Sequence, residues 1–224
     1  DYKQLPAVVQ QDTAISTVNE VSLNNVCLDN CRNSLFERLI HIENLNNRKE
    51  FTGVLNRQGR MHPDIAEFPN KMFYFKENIQ PVPLKHQEEK QLKYSLQSID
   101  YIDDALKAHR MLFIPSKFCK QPNISDKVNA EEARIVTDIL RRIYRFYGNK
   151  FNADKTVGVI VPYRNQISMI RKEIEKLGIP QLEDISIDTV ERYQGSQRDV
   201  IIYSFTIQNR YQLDFLTSNC FEED

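Results

Sequence analysis

Between residues 156 and 206 the sequence alternates two kinds of segment. TVGVIVP (156–162) is apolar on both sides of an extended chain, and RNQISMIRKEIEKLG (164–178) sets apolar residues at helical spacing before Gly178 stops it. ISID (185–188) and DVIIYSFT (199–206) repeat the strand character. Strands apolar on both faces need cover on both, and strands joined through a helix run parallel. The chain therefore reads as α/β, a mostly parallel sheet with helices on both faces. Upstream, NAEEARIVTDILRRIYRFYG (129–148) is the strongest helix in the chain. Asn129 serves as its cap, Glu131 and Glu132 sit in its first turn, and Gly148 ends it. Ile135, Val136, Ile139, Leu140, Ile143 and Tyr147 form its apolar stripe. MLFIP (111–115) reads as one more short strand.

The first half is less regular. Residues 1–33 are polar and mixed, and SLFERLIHI (34–42) predicts a helix capped by Ser34 with Leu35, Phe36, Leu39 and Ile42 on one side. MHPDIAEFPNKMFYF (61–75) predicts a helix opening after Pro63 and interrupted at Pro69. Residues 76–104, with prolines at 81 and 83, read as an insertion or a long surface loop.

Composition narrows the function. Hydrophobic residues make up 41% of 224, with 12 Phe and 10 Tyr, enough to build a core rather than a disordered chain. Basic and acidic residues balance at 30 against 31, so any polyanion-binding surface must be a local patch. Four cysteines, Cys27, Cys31, Cys119 and Cys220, are irregularly spaced, and no second CxxC or histidine pair completes a zinc set. Reduced thiols in a cytoplasmic protein are expected, with no metal site. No charged-then-apolar leader is visible, and no apolar run approaches the ~18 residues that span a bilayer, so no membrane partner is expected.

In an open parallel sheet, ligands bind beyond the carboxyl ends of the strands. VPYRNQ (161–166) and TVERYQGSQRD (189–199) fall at such ends, and QLP (4–6) lies near the start of the chain. Strand ends also need polar turns for purely structural reasons, so spacing alone leaves both readings open. Whole words separate them. DYKQLPAVV (1–9) resembles the third motif of superfamily 1 helicases, and QGRMHPDIAEFPNKMFY (58–74) resembles the fourth, usually Gln-Tyr-Arg-Met-His-Pro. VGVIVPYRNQISMIRKEI (157–174) and ISIDTVERYQGSQRDVIIYSFT (185–206) are similar to the blocks that follow, the latter to the fifth motif. Order and spacing agree over residues 1–9 and 34–224. The branch resembled is the 1B type that holds the nonsense-mediated-decay helicase and the replication nuclease-helicase.

The resemblance implies a RecA-like P-loop NTPase fold, with residues 1–48 as the tail of a first RecA-like domain and 49–224 as a second, ending before the sixth motif. It implies ATP with Mg2+ as the nucleotide, single-stranded DNA or RNA as partner, and the first RecA-like domain of the same parent chain as the other half of the cleft. Arg60 matches the arginine that brings positive charge to the transferred γ-phosphoryl, a task suited to a permanently charged planar fork. Otherwise it is a surface arginine paired to a carboxylate. Gln4 matches the motif-three glutamine that senses the γ-phosphate, or else is a turn residue beside Pro6. Gln58, Gln194, Gly195 and Gln197 fall at nucleotide-binding positions, with Gln197 where many relatives carry a ribose-binding Glu. Thr189, Tyr163 and Gln166 match positions along the nucleic-acid strand, although Tyr163 could instead pack beneath its loop. Gly59 stands where relatives carry a tyrosine that stacks on adenine, so stacking from that position is lost.

No GxxxxGK[ST] phosphate loop and no Asp-Glu-Ala metal motif occur in the sequence. The resemblance assigns both to the first domain, so the chain alone is expected to be inactive as an ATPase. A non-catalytic nucleic-acid- or protein-binding module derived from a helicase is the alternative. A small GTPase-like switch is disfavoured, because switches lack a second RecA-like domain.

Overall fold

The computed structural model describes residues 13–90, 92, 94, 96–117 and 127–217. The helices in chain order are α1 (Thr13–Ser16), α2 (Val21–Asn24), α3 (Leu35–Leu45), α4 (Pro63–Met72), α5 (Lys85–Glu88) and α6 (Tyr101–Ala108), then α7 (Ala130–Tyr147), α8 (Arg164–Glu175), α9 (Pro180–Glu183), α10 (Val190–Tyr193) and α11 (Arg210–Thr217). The strands are β1 (Arg57–Gln58), β2 (Gln80–Pro81), β3 (Val157–Val161), β4 (Ser186–Thr189) and β5 (Val200–Tyr203). The chain divides into two compact units on either side of Lys90 and Gln91. That division falls inside the polar, proline-bearing segment 76–104.

The second unit is α/β with a parallel sheet, as in RecA-like domains. Its strands lie in the order β4-β3-β5, with Val159 paired to Ile187 on one side and to Ile202 on the other. Along β3, Val157, Val159 and Val161 point to one face and are fully buried. Ala133, Val136, Leu140, Ile143 and Phe146 of α7 and Ile170 and Ile174 of α8 meet them there. Each fully buried aliphatic side chain contributes about 1.5–3 kcal/mol, so this layer dominates the stability of the unit. Asn129 caps α7 as expected, its Oδ1 accepting from the Glu132 amide at 3.0 Å. Gly148, with φ 50°, ends it. On the opposite face Tyr193 of α10 lies over Gly158, while Ile201, Tyr203 and Phe205 remain exposed.

Three local expectations change. Residues 111–117 form no strand, since a strand needs a ladder partner and none of the described strands pairs with them. The segment 76–104 is not one long loop: it contains β2, α5 and the start of α6. Asp100 caps α6 by accepting from the amides of Ile102 (3.0 Å) and Asp103 (3.1 Å). Asp103 is fully buried, paired at 2.7 Å with Arg142 of α7 and also with Arg145. Charges that suggest a solvated loop thus form an internal clasp. Helix α4, finally, continues through Pro69 to Met72.

In the first unit, β1 and β2 form a two-residue parallel ladder, Arg57 opposite Gln80 and Gln58 opposite Pro81. Ser34 caps α3, its hydroxyl accepting from the Glu37 amide at 3.1 Å. The expected stripe of α3 stays at the surface, with Leu35, Phe36 and Leu39 exposed. No helix among the described residues is long and apolar enough to cross a membrane.

Candidate functional site

The loop after β1 is held from inside. The Gln58 amide donates to the Met61 carbonyl at 2.7 Å, and its Oε1 accepts from the amides of Arg60 (3.0 Å) and Met61 (2.7 Å). From α5, the buried Gln87 donates to the carbonyls of Gln58 (2.9 Å) and Met61 (2.8 Å). The His86 Nε2 lies 3.0 Å from the Gly59 carbonyl. The His62 Nε2 donates to the Glu89 carbonyl at 3.1 Å, and its Nδ1 accepts from the Asp64 amide at 3.2 Å, capping α4. The Gln58 side chain, expected at a nucleotide-binding position, is engaged within the loop and shapes it. Arg60 and Gly59 are the exposed residues of the loop, and the Arg60 guanidinium forms no ion pair among the described residues. A Cβ at Gly59 would stand 3.1 Å from a methyl of Leu84, so a larger side chain there would require Leu84 to give way.

In the second unit, β3, β4 and β5 end along one edge, as the pairings Val161–Thr189 and Ile160–Tyr203 require. Tyr163 follows β3 and Thr189 is the last residue of β4, and both are half-buried. Tyr163 occupies the N-cap position of α8, with Lys127 Nζ 5.9 Å from its ring centroid. Thr189 occupies the N-cap position of α10. Gln194, Gly195 and Gln197 are exposed on the segment that leads away from α10. Gly195 has φ 83°, in the left-handed region that favours glycine. That segment ends at the opposite edge of the sheet, where the Asp199 amide donates to the Lys155 carbonyl at 2.9 Å. Tyr163 and Thr189 are thus brought together, and Gln197 lies toward the other end of the strands. Gln4 lies outside the described residues.

Gln166 calls for a correction. A side chain that touches a nucleic-acid strand must reach the surface, and Gln166 is fully buried. Its Oε1 accepts from the Asn129 amide at 2.8 Å, and its Nε2 donates to the Asn129 carbonyl at 2.9 Å and to the Ser204 hydroxyl at 3.3 Å. It ties the start of α8 to the start of α7. Beside it the Glu132 carboxylate accepts from the Ser204 hydroxyl at 2.7 Å and the Thr206 amide at 2.8 Å. Sequence reading missed Glu132, Ser204 and Thr206. The available signal was the Asn-x-x-Glu spacing of 129–132, which marks a capping box. Among the described residues no group of three or more His, Cys, Asp or Glu side chains could hold a metal ion.

Residues 31–219 match the model of a family described as AAA domain. The chain belongs to that family. It is 29% identical to an uncharacterized ATP-dependent helicase of Methanocaldococcus jannaschii, over 92% of this chain and 26% of that protein. It is 27% identical to the helicase sen1 of Schizosaccharomyces pombe, over 91% of this chain and 11% of the relative. It is also 27% identical to the DNA polymerase alpha-associated DNA helicase A of Saccharomyces cerevisiae, over 96% of this chain and 30% of the relative. The AAA domain and these named relatives place the chain among superfamily 1 helicases. It spans less than a third of the length of each of the three.

Proposed function

We infer that the chain is part of an ATP-dependent superfamily 1 helicase or translocase acting on single-stranded DNA or RNA. In this reading residues 49–224 are the second RecA-like domain, residues 1–48 the tail of the first, and the parent is cytoplasmic. The observation that carries it is the loop after β1: an exposed arginine without an ion-pair partner among the described residues, on a backbone fixed by Gln58 and Gln87. Arginine left uncompensated on a rigid loop is suited to meet charge supplied from outside the unit. A guanidinium offered to a transferring phosphoryl group stabilises charge that develops as the bond breaks. These residues fit the second-domain side of a cleft for ATP. Mg2+ would be held by the first RecA-like domain, to which the resemblance assigns the metal motif; bound there, it would neutralise phosphate charge.

Tyr163 and Thr189 suit the strand side. An aromatic ring stacks on any base, and a hydroxyl with nearby backbone amides accommodates a phosphate, which gives contact without sequence preference. Gln194, Gly195 and Gln197 form the exposed turn beyond α10, and the Gln197 amide is proposed to reach the ribose hydroxyls.

Steady-state kinetics of the full-length parent, with single-stranded nucleic acid present, test this reading. Arg60→Ala should lower kcat by roughly 10³-fold with little change in KM for ATP, because its interaction is strongest in the transition state. Gln197→Ala should instead raise KM with a modest effect on kcat. If Arg60→Ala altered only KM, the assignment of this loop would be wrong. A parent that binds strands but hydrolyses nothing would favour the binding-module alternative.

A further inference from the structure

The start of α7 departs from an ordinary capping box. In such a box the cap side chain accepts from the amide three residues on, and the acidic residue there bonds back to the cap's own amide. The first half is present, Asn129 Oδ1 to the Glu132 amide at 3.0 Å. The second half is taken over by Gln166 of α8, whose Oε1 accepts from the Asn129 amide at 2.8 Å. This frees the Glu132 carboxylate. One of its oxygens accepts from both the Ser204 hydroxyl (2.7 Å) and the Thr206 amide (2.8 Å), and the other accepts from Asn129 Nδ2 at 3.2 Å.

Thr206 is fully buried and has φ 58°. A β-branched residue in the left-handed region is strained, and such strain persists only where neighbours over-determine the conformation. The bond from its amide to Glu132 is such a determinant. Through Gln166, which also donates to Ser204 at 3.3 Å, the same lattice grips the first turn of α8 immediately after Tyr163. Two segments leaving the carboxyl ends of β3 and β5 are therefore fastened to one point on α7.

We propose that Glu132 is a positioning residue for the strand-facing edge: it holds Thr206 in its strained conformation and, with Gln166, fixes the segment after β5 relative to Tyr163. This rests on the functional reading above, in which Tyr163 and Thr189 face single-stranded nucleic acid. Removing the carboxylate frees Thr206 to relax and takes the acceptor from three donors of buried residues, Ser204, Thr206 and Asn129. The effect belongs on engagement of the strand and leaves nucleotide affinity nearly unchanged.

The test uses the full-length parent and measures ATP hydrolysis stimulated by oligo(dT) and oligo(U). Glu132→Ala should raise the oligonucleotide concentration for half-maximal stimulation about tenfold, with KM for ATP within about twofold of the unmodified protein. Glu132→Gln keeps an oxygen for Ser204 and Thr206 and should restore most of the loss. Ser204→Ala removes one of the two bonds and should shift half-stimulation about threefold in the same direction. It also serves where Glu132→Ala does not accumulate as folded protein. Half-stimulation unmoved by Glu132→Ala, or by Ser204→Ala in that case, overturns the inference. So does a Glu132→Gln protein as impaired as Glu132→Ala. Absence of strand-stimulated hydrolysis in the unmodified parent overturns the functional reading, and the inference with it. Stimulation that is present and insensitive to these changes overturns the inference alone.

Discussion

Gly158, in the middle of a buried strand, has no room for a side chain. A Cβ built on it would lie 1.5 Å from the Tyr193 hydroxyl oxygen and 2.6 Å from the ring carbon that bears it. Gly158→Ala must therefore displace Tyr193 or the strand, and should cost roughly 3 kcal/mol, read as a lower urea midpoint with an unchanged slope. The Tyr193 hydroxyl is buried without a hydrogen-bond partner among the described residues, so deleting it removes a desolvation penalty and no bond. Tyr193→Phe should be neutral or stabilising by up to about 1 kcal/mol in the same titration. A stable Gly158→Ala protein would show that Tyr193 does not lie across β3. In the sequence VGVIV this glycine looks like a weak point of a strand. Its reason sits 35 positions downstream, where no local pattern points to it.

Among elements, the joint between α6 and α7 has the strongest electrostatics. The Arg142 guanidinium bonds Asp100 and Asp103 at 2.7 Å through one nitrogen and Asp138 at 2.7 Å through another. These carboxylates hold its pKa well above the ordinary arginine value, against the opposing effect of burial. Burial pushes the Asp103 carboxyl up, but bonds from the Ile99 amide and from Arg145 and Arg142 prevail and hold it at about 2. Its folded pKa is thus depressed relative to an unfolded value of about 3.9. The unfolded chain then binds more protons in that interval, so this contribution is complete above about pH 5 and is lost as pH falls toward 2. Urea midpoints across that range should fall with acid, and Asp103→Asn should remove part of the slope. Asp100 and Asp138, also lowered, account for the remainder. Arg142→Met leaves the buried Asp103 with only one of its two arginine partners and should cost about 3 kcal/mol at neutral pH. An unchanged midpoint would mean that α6 is not fastened to α7 by this cluster.

For the molecule as a whole, one face of the parallel sheet is closed by α7 and α8 while the other stays partly open. Phe205 meets Tyr203 and Phe113 with ring centroids 4.7 and 6.2 Å away, and with Ile201 these side chains remain exposed. Contiguous exposed apolar surface binds hydrophobic dyes. The chain prepared alone should enhance anilinonaphthalene sulfonate fluorescence, and Ile201→Thr with Phe205→Ser should reduce it while circular dichroism stays the same. Dye binding untouched by the double substitution would locate the apolar surface elsewhere. The chain alone should also hydrolyse no measurable ATP, since its sequence holds no GxxxxGK[ST] loop. Robust turnover abolished by Arg60→Ala would contradict that.

The sequence by itself determined the parallel α/β class, the strands β3, β4 and β5, the capped helices α3 and α7, and the family to which the chain belongs. These depend on short-range periodicity, on caps within one turn, and on the order of words such as QGRMHP and PYRNQ. Only the tertiary structure decided that Gln166 is buried, that Gln58 works within its own loop, and that Asp103 lies inside the molecule. It also decided that MLFIP pairs with none of the described strands and that Glu132 reaches Thr206. Each of these is a question of which distant segment lies next to a polar or apolar group. A carboxylate or an amide reads the same in sequence whether it faces water or a donor 74 residues away. The physical difference arises only when folding removes the water and supplies the partner.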